Sequence, residues 1–252
     1  MQYIYGIHAV DALLRRNATQ VRRLLVQQGR EDKRVSALVE LARNQGVSVD
    51  RSPRKALDEM VSGRHQGVIA ETSGEPGAAN GANEWDEADL LRLVDEGQEP
   101  AFILVLDGVT DPHNLGACLR SADAAGVSAV VVPRDKSADL SPTARKVACG
   151  AAEVVPFVTV TNIARTLAAL KERGVWLFGA AGEAETSVYD ADLRGPVALV
   201  MGAEGSGMRR LTREACDYLV HLPMAGSVSS LNVSVATGVC LFEARRQRLQ
   251  RA

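Results

Sequence analysis

Phe102-Ile-Leu-Val-Leu-Asp-Gly-Val-Thr-Asp-Pro-His-Asn-Leu-Gly-Ala-Cys-Leu-Arg120 is the stretch whose reading decides the fold. Its first five residues are an unbroken apolar run that turns polar at Asp107, as a parallel strand does when it leaves a sheet covered on both faces. Leu115 to Ala125 then has helical spacing, with Gly126 as its stop. A strand, a polar turn and a helix in this order begin an α/β domain, and ligands of such domains sit where the strands run out.

Two later stretches place polar groups and glycines at the same kind of position. They read Met201-Gly-Ala-Glu-Gly-Ser-Gly207 and Leu222-Pro-Met-Ala-Gly-Ser-Val-Ser-Ser-Leu-Asn-Val-Ser-Val-Ala236. Between and around them, strands are expected at Val127 to Val132, Val154-Val155, Val175 to Phe178 and Val197 to Met201. Helices are expected at Pro142 to Cys149, Ile163 to Glu172 and Ser230 to Leu249, and together these make residues 100–252 one α/β domain. Residues 1–75 read as a smaller α/β unit, with helices from Ile7 to Leu14 and Val35 to Ala42. Its strands are expected at Leu24 to Val26, Val47 to Val49 and Gly67 to Ala70. Thr72-Ser-Gly-Glu-Pro-Gly-Ala-Ala-Asn-Gly81 has linker composition, Trp85 to Val94 suggests a short acidic helix, and residues 76–99 are expected to form a flexible acidic linker.

Formal net charge is −2, but the distribution is uneven. Residues 1–75 carry 12 basic and 9 acidic side chains, residues 76–99 carry 1 and 7, and residues 100–252 carry 16 and 15. The acidity therefore belongs to the middle segment, which leaves a locally basic, nucleic-acid-facing surface open on either side while excluding one held by charge alone. Arg15, Arg16, Arg22, Arg23, Arg51, Arg54 and Lys55 cluster in the first unit; a solvated face and a phosphate-contacting face are both compatible with them. Cys118, Cys149, Cys216 and Cys240 lack metal-ligand spacing and are expected as buried thiols in a reducing cytoplasm. A leader peptide is not expected, and no apolar run approaches the ~18 residues of a membrane span.

The candidate chemistry lies at Asn114, Arg120, Glu204, Ser230 and Asn232. Asn114 is expected in an exposed turn just ahead of its helix, flanked by Pro112 and Gly116, and could be an N-cap. An arginine at Arg120 facing inward needs an anion, either a ligand's or an internal carboxylate such as Glu204 or Glu243. The glycines around Glu204 permit tight turns and close approach of a planar ligand, and Glu204 itself disfavours a pyrophosphate. Hydroxyls, an adenine or a cationic centre suit it better. Ser229 or Ser230 can cap the last helix, with Asn232 in its first turn, where free amide hydrogens could hold a carboxylate or a base edge. Met201 and Met224 read as core residues. His8, His65, His113 and His221 have no partner carboxylate at a motif spacing, and paired-histidine metal motifs are missing.

The three stretches resemble the motifs of the SpoU/TrmH family of RNA ribose 2′-O-methyltransferases: Asn114 to Arg120, Gly202 to Gly207, and Pro223 to Ser234. Tyr5-Gly-Ile-His-Ala-Val10, Gly29-Arg-Glu-Asp-Lys-Arg34, His65-Gln-Gly67 and Lys146-Val-Ala-Cys-Gly-Ala-Ala152 extend the resemblance to the family's 23S rRNA guanosine enzymes over nearly the whole chain. It implies a SPOUT-type trefoil-knotted α/β domain over residues 100–252, the knot lying at roughly 197–240, preceded by a small α/β ribosomal-protein-like RNA-binding domain. Knots are otherwise nearly absent from proteins. The resemblance further implies an S-adenosylmethionine pocket near Gly179, Gly202, Leu222, Met224 and Leu231, without a metal. Arg120 would be catalytic, with Asn114, Glu204, Ser230 and Asn232 positioning ribose, base and arginine. It implies a homodimer through the C-terminal domain, and 23S rRNA or a large-subunit precursor as partner. The target would be a guanosine of the peptidyl-transferase region. A tRNA methyltransferase and a non-catalytic rRNA-binding protein are the competing expectations.

Overall fold

The computed structural model describes residues 2–30, 32–61, 65–72 and 84–250. The chain divides into two compact units, Met1–Ala82 with Cys149–Val154, and Asn83–Ala148 with Val155–Ala252. Most of the expected linker, 73–83, lies outside the described residues.

The first unit runs β1 (Gln2–Tyr5), α1 (Ile7–Asn17), β2 (Val21–Gln27), α2 (Lys33–Asn44), β3 (Ser48–Ser52), α3 (Arg54–Met60) and β4 (Val68–Thr72). Its sheet has the order β1-β4-β2-β3, with β2 and β3 parallel and β4 antiparallel to both its neighbours. Strand alternation divides the core. Leu24, Val26, Val68 and Ala70 meet Leu13, Leu14 and Leu38 on one side, while Leu25 and Ile69 meet Leu57 on the other. Asp32 caps α2 by accepting from the amides of Arg34 and Val35, each at 3.2 Å, and the Arg30 guanidinium beside it holds its carboxyl below the usual range.

His65 has a carboxylate partner that no motif spacing announced. Its Nε2 lies 2.8 Å from Asp58 Oδ1, and its Nδ1 accepts from the Gly67 amide at 2.9 Å. That leaves Nε2 as the protonated nitrogen and makes this buried imidazole the brace of a turn.

The second unit runs β5 (Glu84–Trp85), α4 (Glu87–Glu96), β6 (Phe102–Asp107), α5 (Pro112–Ala125), β7 (Ala129–Pro133), α6 (Pro142–Ala148), β8 (Phe157–Val160), α7 (Ile163–Lys171) and β9 (Trp176–Ala180). It continues with β10 (Thr186–Ser187), β11 (Val197–Gly202), α8 (Arg210–Ala215), β12 (Tyr218–His221) and α9 (Val233–Leu249). Among the described residues the sheet has the order β10-β12-β9-β11-β6-β7-β8-β5, and all its pairings are parallel. Ile103, Val105, Val131, Leu177 and Val200 face Leu90 of α4 and Leu167 and Leu170 of α7. The alternate residues turn to the other face, where α9 lies against α5 and β11.

Four expectations need correction. Residues 84–96 belong to the second unit: β5 pairs with β8, Asp86 and Asp89 form a reciprocal capping box, and Leu90 is fully buried. An acidic surface concealed the apolar stripe. Val154 and Val155 end a turn, and the strand starts beyond Pro156 at Phe157. Val127 closes α5 by donating to Ala122 O behind the left-handed Gly126, so β7 begins at Ala129. Cys149 is exposed and Cys216 half-buried, whereas Cys118 and Cys240 are buried as expected. Burial pushes the thiols of Cys118 to about 11 and of Cys216 and Cys240 to about 12.

Candidate active site

At the carboxyl edge of the large sheet β6 ends on Asp107 and β11 on Gly202, and these two residues are register partners. The loop after β6 turns at Gly108, whose φ is +91°. Asp111 then accepts from the His113 amide at 2.9 Å, which makes it the cap of α5, and Pro112 takes the first helical position. Asn114 is thereby drawn into the first turn and is buried, not held in an exposed turn. Gly116 is helical as well. A Cβ there would lie 2.5 Å from Ala144 O and 2.7 Å from Val147 Cβ, so its task is to admit α6.

Asn232 reaches Asn114 from the far end of the domain. Its Nδ2 donates to Asn114 Oδ1 at 3.0 Å and also to Glu204 Oε1. Glu204 Oε1 accepts a second bond from the Val233 amide at 3.3 Å. The Asn232 Oδ1 accepts from the Ser234 amide at 3.0 Å and the Ser234 hydroxyl at 2.6 Å, so Asn232 caps α9. Two donors face one end of this amide and two acceptors the other, which fixes its orientation. The expected roles are therefore shifted. Asn232 is the cap and not a first-turn residue, and Ser229 and Ser230 lie exposed before the helix starts.

The Glu204 loop closes on itself. Ala203 and Gly207 exchange two backbone bonds of 3.0 and 2.9 Å, and Gly205 and Gly207 have φ of +78° and +67°. A Cβ on Gly202 would lie 2.2 Å from Gly207 C and Met208 N, so the loop's own return demands that glycine. A Cβ on Gly179 would meet Met208 Cε, Cys216 Sγ and Leu219 Cδ2 at 2.8 to 3.0 Å. Both glycines expected near a cofactor thus have a packing requirement of their own.

The loop is pinned by a residue that sequence reasoning did not assign. Asp107 is buried, its Oδ2 accepts from the Arg209 amide at 2.8 Å, and its Oδ1 faces Arg209 Nε at 3.3 Å. Arg209 also donates to Asp135 O at 3.2 Å, tying the turns after β6, β7 and β11 together. The available signal was the carboxylate at the end of a purely apolar run.

Residues 223–231 make no backbone–backbone hydrogen bond among the described residues. Unpaired amides and carbonyls on one rim of a cleft can hold a polar, planar ligand. Leu222 and Met224 are half-buried there, so Met224 is not a core residue, while Met201 is; Leu231 is 38% exposed. This donor set, with apolar side chains beside free backbone groups, fits a nucleoside-bearing cofactor.

Arg120 stands exposed on α5 and does not face inward. Six residues of helix turn it to a different face from Asn114. Of the carboxylates considered for it, Glu204 bonds Asn232 and Glu243 bonds Arg246 at 2.8 Å. The structure therefore brings Asn114, Glu204 and Asn232 together and leaves Arg120 and Ser230 at the surface. Among the described residues no group of His, Cys, Asp and Glu could hold a metal ion.

The sequence matches the SpoU rRNA Methylase family over residues 101–242 and the RNA 2'-O ribose methyltransferase substrate binding family over residues 3–76. It is 60% identical to the 23S rRNA (guanosine-2'-O-)-methyltransferase RlmB of Pseudomonas syringae pv. tomato, over 98% of this chain and 96% of that protein. It is 57% identical to RlmB of Escherichia coli K12, over 98% of this chain and 99% of that one. Among solved structures, it is similar to the SpoU methyltransferase AviRb from Streptomyces viridochromogenes in complex with AdoMet. That likeness has a TM-score of 0.70 at 25% identity and covers 98% of this chain and 90% of AviRb.

Proposed function

The chain belongs to the SpoU rRNA methylase family, and from that premise we propose that it transfers a methyl group from S-adenosylmethionine to the ribose 2′-hydroxyl of a guanosine in 23S rRNA. The observation that carries this reading is full-length likeness to RlmB in a chain whose Asn114–Asn232–Glu204 constellation is joined at one sheet edge. By analogy, the target is a guanosine of the peptidyl-transferase region.

Bound between Gly202 and the 222–231 segment, S-adenosylmethionine would supply a methyl already activated on a sulfonium. The protein's task is then to raise the reactivity of a sugar hydroxyl that is protonated near pH 7. We assign that task to Arg120. A guanidinium is a poor base because it stays protonated, but it can hold the target's phosphate and stabilise negative charge developing on the 2′-oxygen. The proton leaves to phosphate or solvent. Asn114, Glu204, Ser230 and Asn232 orient ribose and base, so that hydroxyl and methyl meet at the right angle.

We assign RNA recognition to the first unit, over residues 1–75, and methyl transfer to residues 100–252. Lys33, Arg34 and Lys55 are among the exposed cations that support this. Arg15 and Arg23 are bonded to Asp11 and Glu71, which removes part of the expected basic face. Val235, Phe242 and Leu249, spaced seven residues apart on α9, are half or more exposed and support a homodimer through this helix. An rRNA substrate makes the cytoplasm the expected compartment.

The test is transfer of labelled methyl from S-adenosylmethionine to undermethylated 23S rRNA, 16S rRNA and tRNA, with the modified nucleotide mapped. A single 2′-O-methylguanosine in 23S rRNA is expected; label in tRNA would overturn the substrate. Under saturating single-turnover conditions Arg120→Ala should be slowed at least ~100-fold. A near-native rate would remove Arg120 from the mechanism.

A further inference from the structure

At the amino edge of the same sheet, away from the proposed methyl-transfer site, lies a cavity of about 640 Å³ that the reaction does not use. It opens beside the starts of β9, β11 and β12, at Trp176, Val197 and Tyr218. The strands are parallel, so the length of β11 separates it from Gly202 by roughly 17 Å. Trp176 and Phe178 share a sheet face, and the Tyr218 ring lies 5.8 Å from the first and 5.2 Å from the second. The chain has two Trp, four Tyr and four Phe, and three of these line this one cavity. Trp176 and Tyr218 are 51% and 50% exposed. That is a large apolar area to leave in water beside a well-filled core.

One wall is rigid. The 191–193 backbone is held by Gln247, which donates to Ala191 O at 3.0 Å and accepts from the Leu193 amide at 2.9 Å. Charged groups rim the mouth. Asp190, Asp192 and Arg194 line it, and Arg194 is already engaged by Asp192 through bonds of 2.9 and 2.8 Å. Arg248 behind it is spent on the carbonyls of Leu193 and Gly195, whereas the Asp190 carboxylate has no side-chain partner among the described residues.

Aromatic faces beside an unmatched carboxylate select a cation. A guanidinium or ammonium gains from ring quadrupoles and from the carboxylate together. A nucleic acid could stack a base on Trp176, but its phosphates would meet Asp190, with Arg194 already held by Asp192 and Arg248 by backbone carbonyls. We propose that this groove docks a basic polypeptide segment, one arginine or lysine side chain of which enters beside Trp176 and Tyr218 with its charge toward Asp190.

The test uses the full-length protein and a hexa-arginine peptide as probe, read by Trp fluorescence in a Trp85→Phe background so that Trp176 alone reports. Saturable binding is expected, weakened at least tenfold by Asp190→Lys and by Tyr218→Leu. A Glu172→Lys control, also on the surface, should change it less than twofold, which separates the groove from general attraction to an acidic protein. Unfolding temperature and methyl transfer to protein-free rRNA should be unchanged in Asp190→Lys. No saturable binding, or equal weakening by Asp190→Lys and Glu172→Lys, overturns the proposal. So does an oligonucleotide that, with no peptide present, changes Trp176 fluorescence and loses that effect in Tyr218→Leu, which would make the groove a base-stacking surface. A shift in oligomeric state on Asp190→Lys also overturns it, because the occupant would then be a second copy of the chain.

Discussion

The two edges of the large sheet use polar side chains in opposite ways. At the amino edge one side chain satisfies the backbone: Arg248 donates to the carbonyls of Pro100, Ala101, Leu193 and Gly195 and stacks on Phe102 at 4.5 Å. At the carboxyl edge polar side chains bond chiefly one another and helix starts, through Asn114, Asn232 and Glu204, while residues 223–231 keep their backbone groups unpaired. The first arrangement closes a structure. The second holds a surface ready for something else. Substitutions at the two edges should accordingly separate stability from activity.

The largest effect is expected at Gly202. Gly202→Ala places a methyl 2.2 Å from the backbone of Gly207 and Met208, a clash that rotamer change cannot relieve. The loop must open, at a cost on the order of 3 kcal/mol or more. Cofactor affinity measured by calorimetry and methyl transfer should both fall below detection; retained activity would mean the loop does not shape the site. Next is Asn232→Ala, which removes the cap of α9 and leaves buried Asn114 Oδ1 without its donor. Capping contributes about 1 kcal/mol and an unsatisfied buried acceptor about 1–3. Turnover should drop about ten- to a hundredfold, on the same scale as losing a positioning contact. Asn232→Ser restores a capping oxygen but is too short to join Asn114 to Glu204. Its stability should recover by the capping contribution of about 1 kcal/mol, while its turnover does not. If both recover, the three-residue network is only a cap.

Local signals made β6, α5 and the Gly126 stop legible, because an unbroken apolar run, Pro112 and a left-handed glycine each act within a few residues. Capping was harder. Asp111 competes with Asn114, and Asn232 with Ser229 and Ser230, and contacts more than a hundred residues apart in sequence decide which side chain is used. The Asp107–Arg209 pair joins residues 102 apart and leaves no periodic trace. Gly202 was read as room for a ligand, but its missing Cβ is filled by the loop's return. Residues 84–96 looked like linker because their charges outnumber the four side chains, Trp85, Leu90, Leu91 and Val94, that attach them to the core. Recognition of the family's three motifs located the site more closely than periodicity could, yet it did not anticipate an outward Arg120.

At the amino edge the signs reverse. Arg248→Met keeps the stem that covers Phe102 but strands several carbonyls, and charge-assisted bonds of this kind contribute about 1.5–3 kcal/mol each. A net loss of ~3 kcal/mol is expected, a fall of about 6–12 °C in unfolding temperature. Turnover per folded molecule should stay within twofold of the parent. A specific loss of turnover would show that the two edges are coupled and the comparison false.

The smallest effect concerns the brace behind that edge. Glu243 accepts from Arg246 at 2.8 Å and from Gln247 Nε2 at 2.8 Å, and Gln247 in turn holds Ala191 and Leu193. The Arg246 bond, and then the Gln247 bond, hold the Glu243 carboxyl below its ordinary 4.5. A depressed folded-state pKa means that the charged form stabilises the fold above the ordinary value and that this contribution disappears as pH falls through the lowered one. Glu243→Gln keeps the amide-sized side chain and removes only the charge. The parent should therefore be slightly more stable than the variant at pH 7, and the two should converge as pH falls below the ordinary 4.5 and through the lowered value. A difference that persists unchanged at pH 3 would mean that shape, not the charge on Glu243, braces the amino edge.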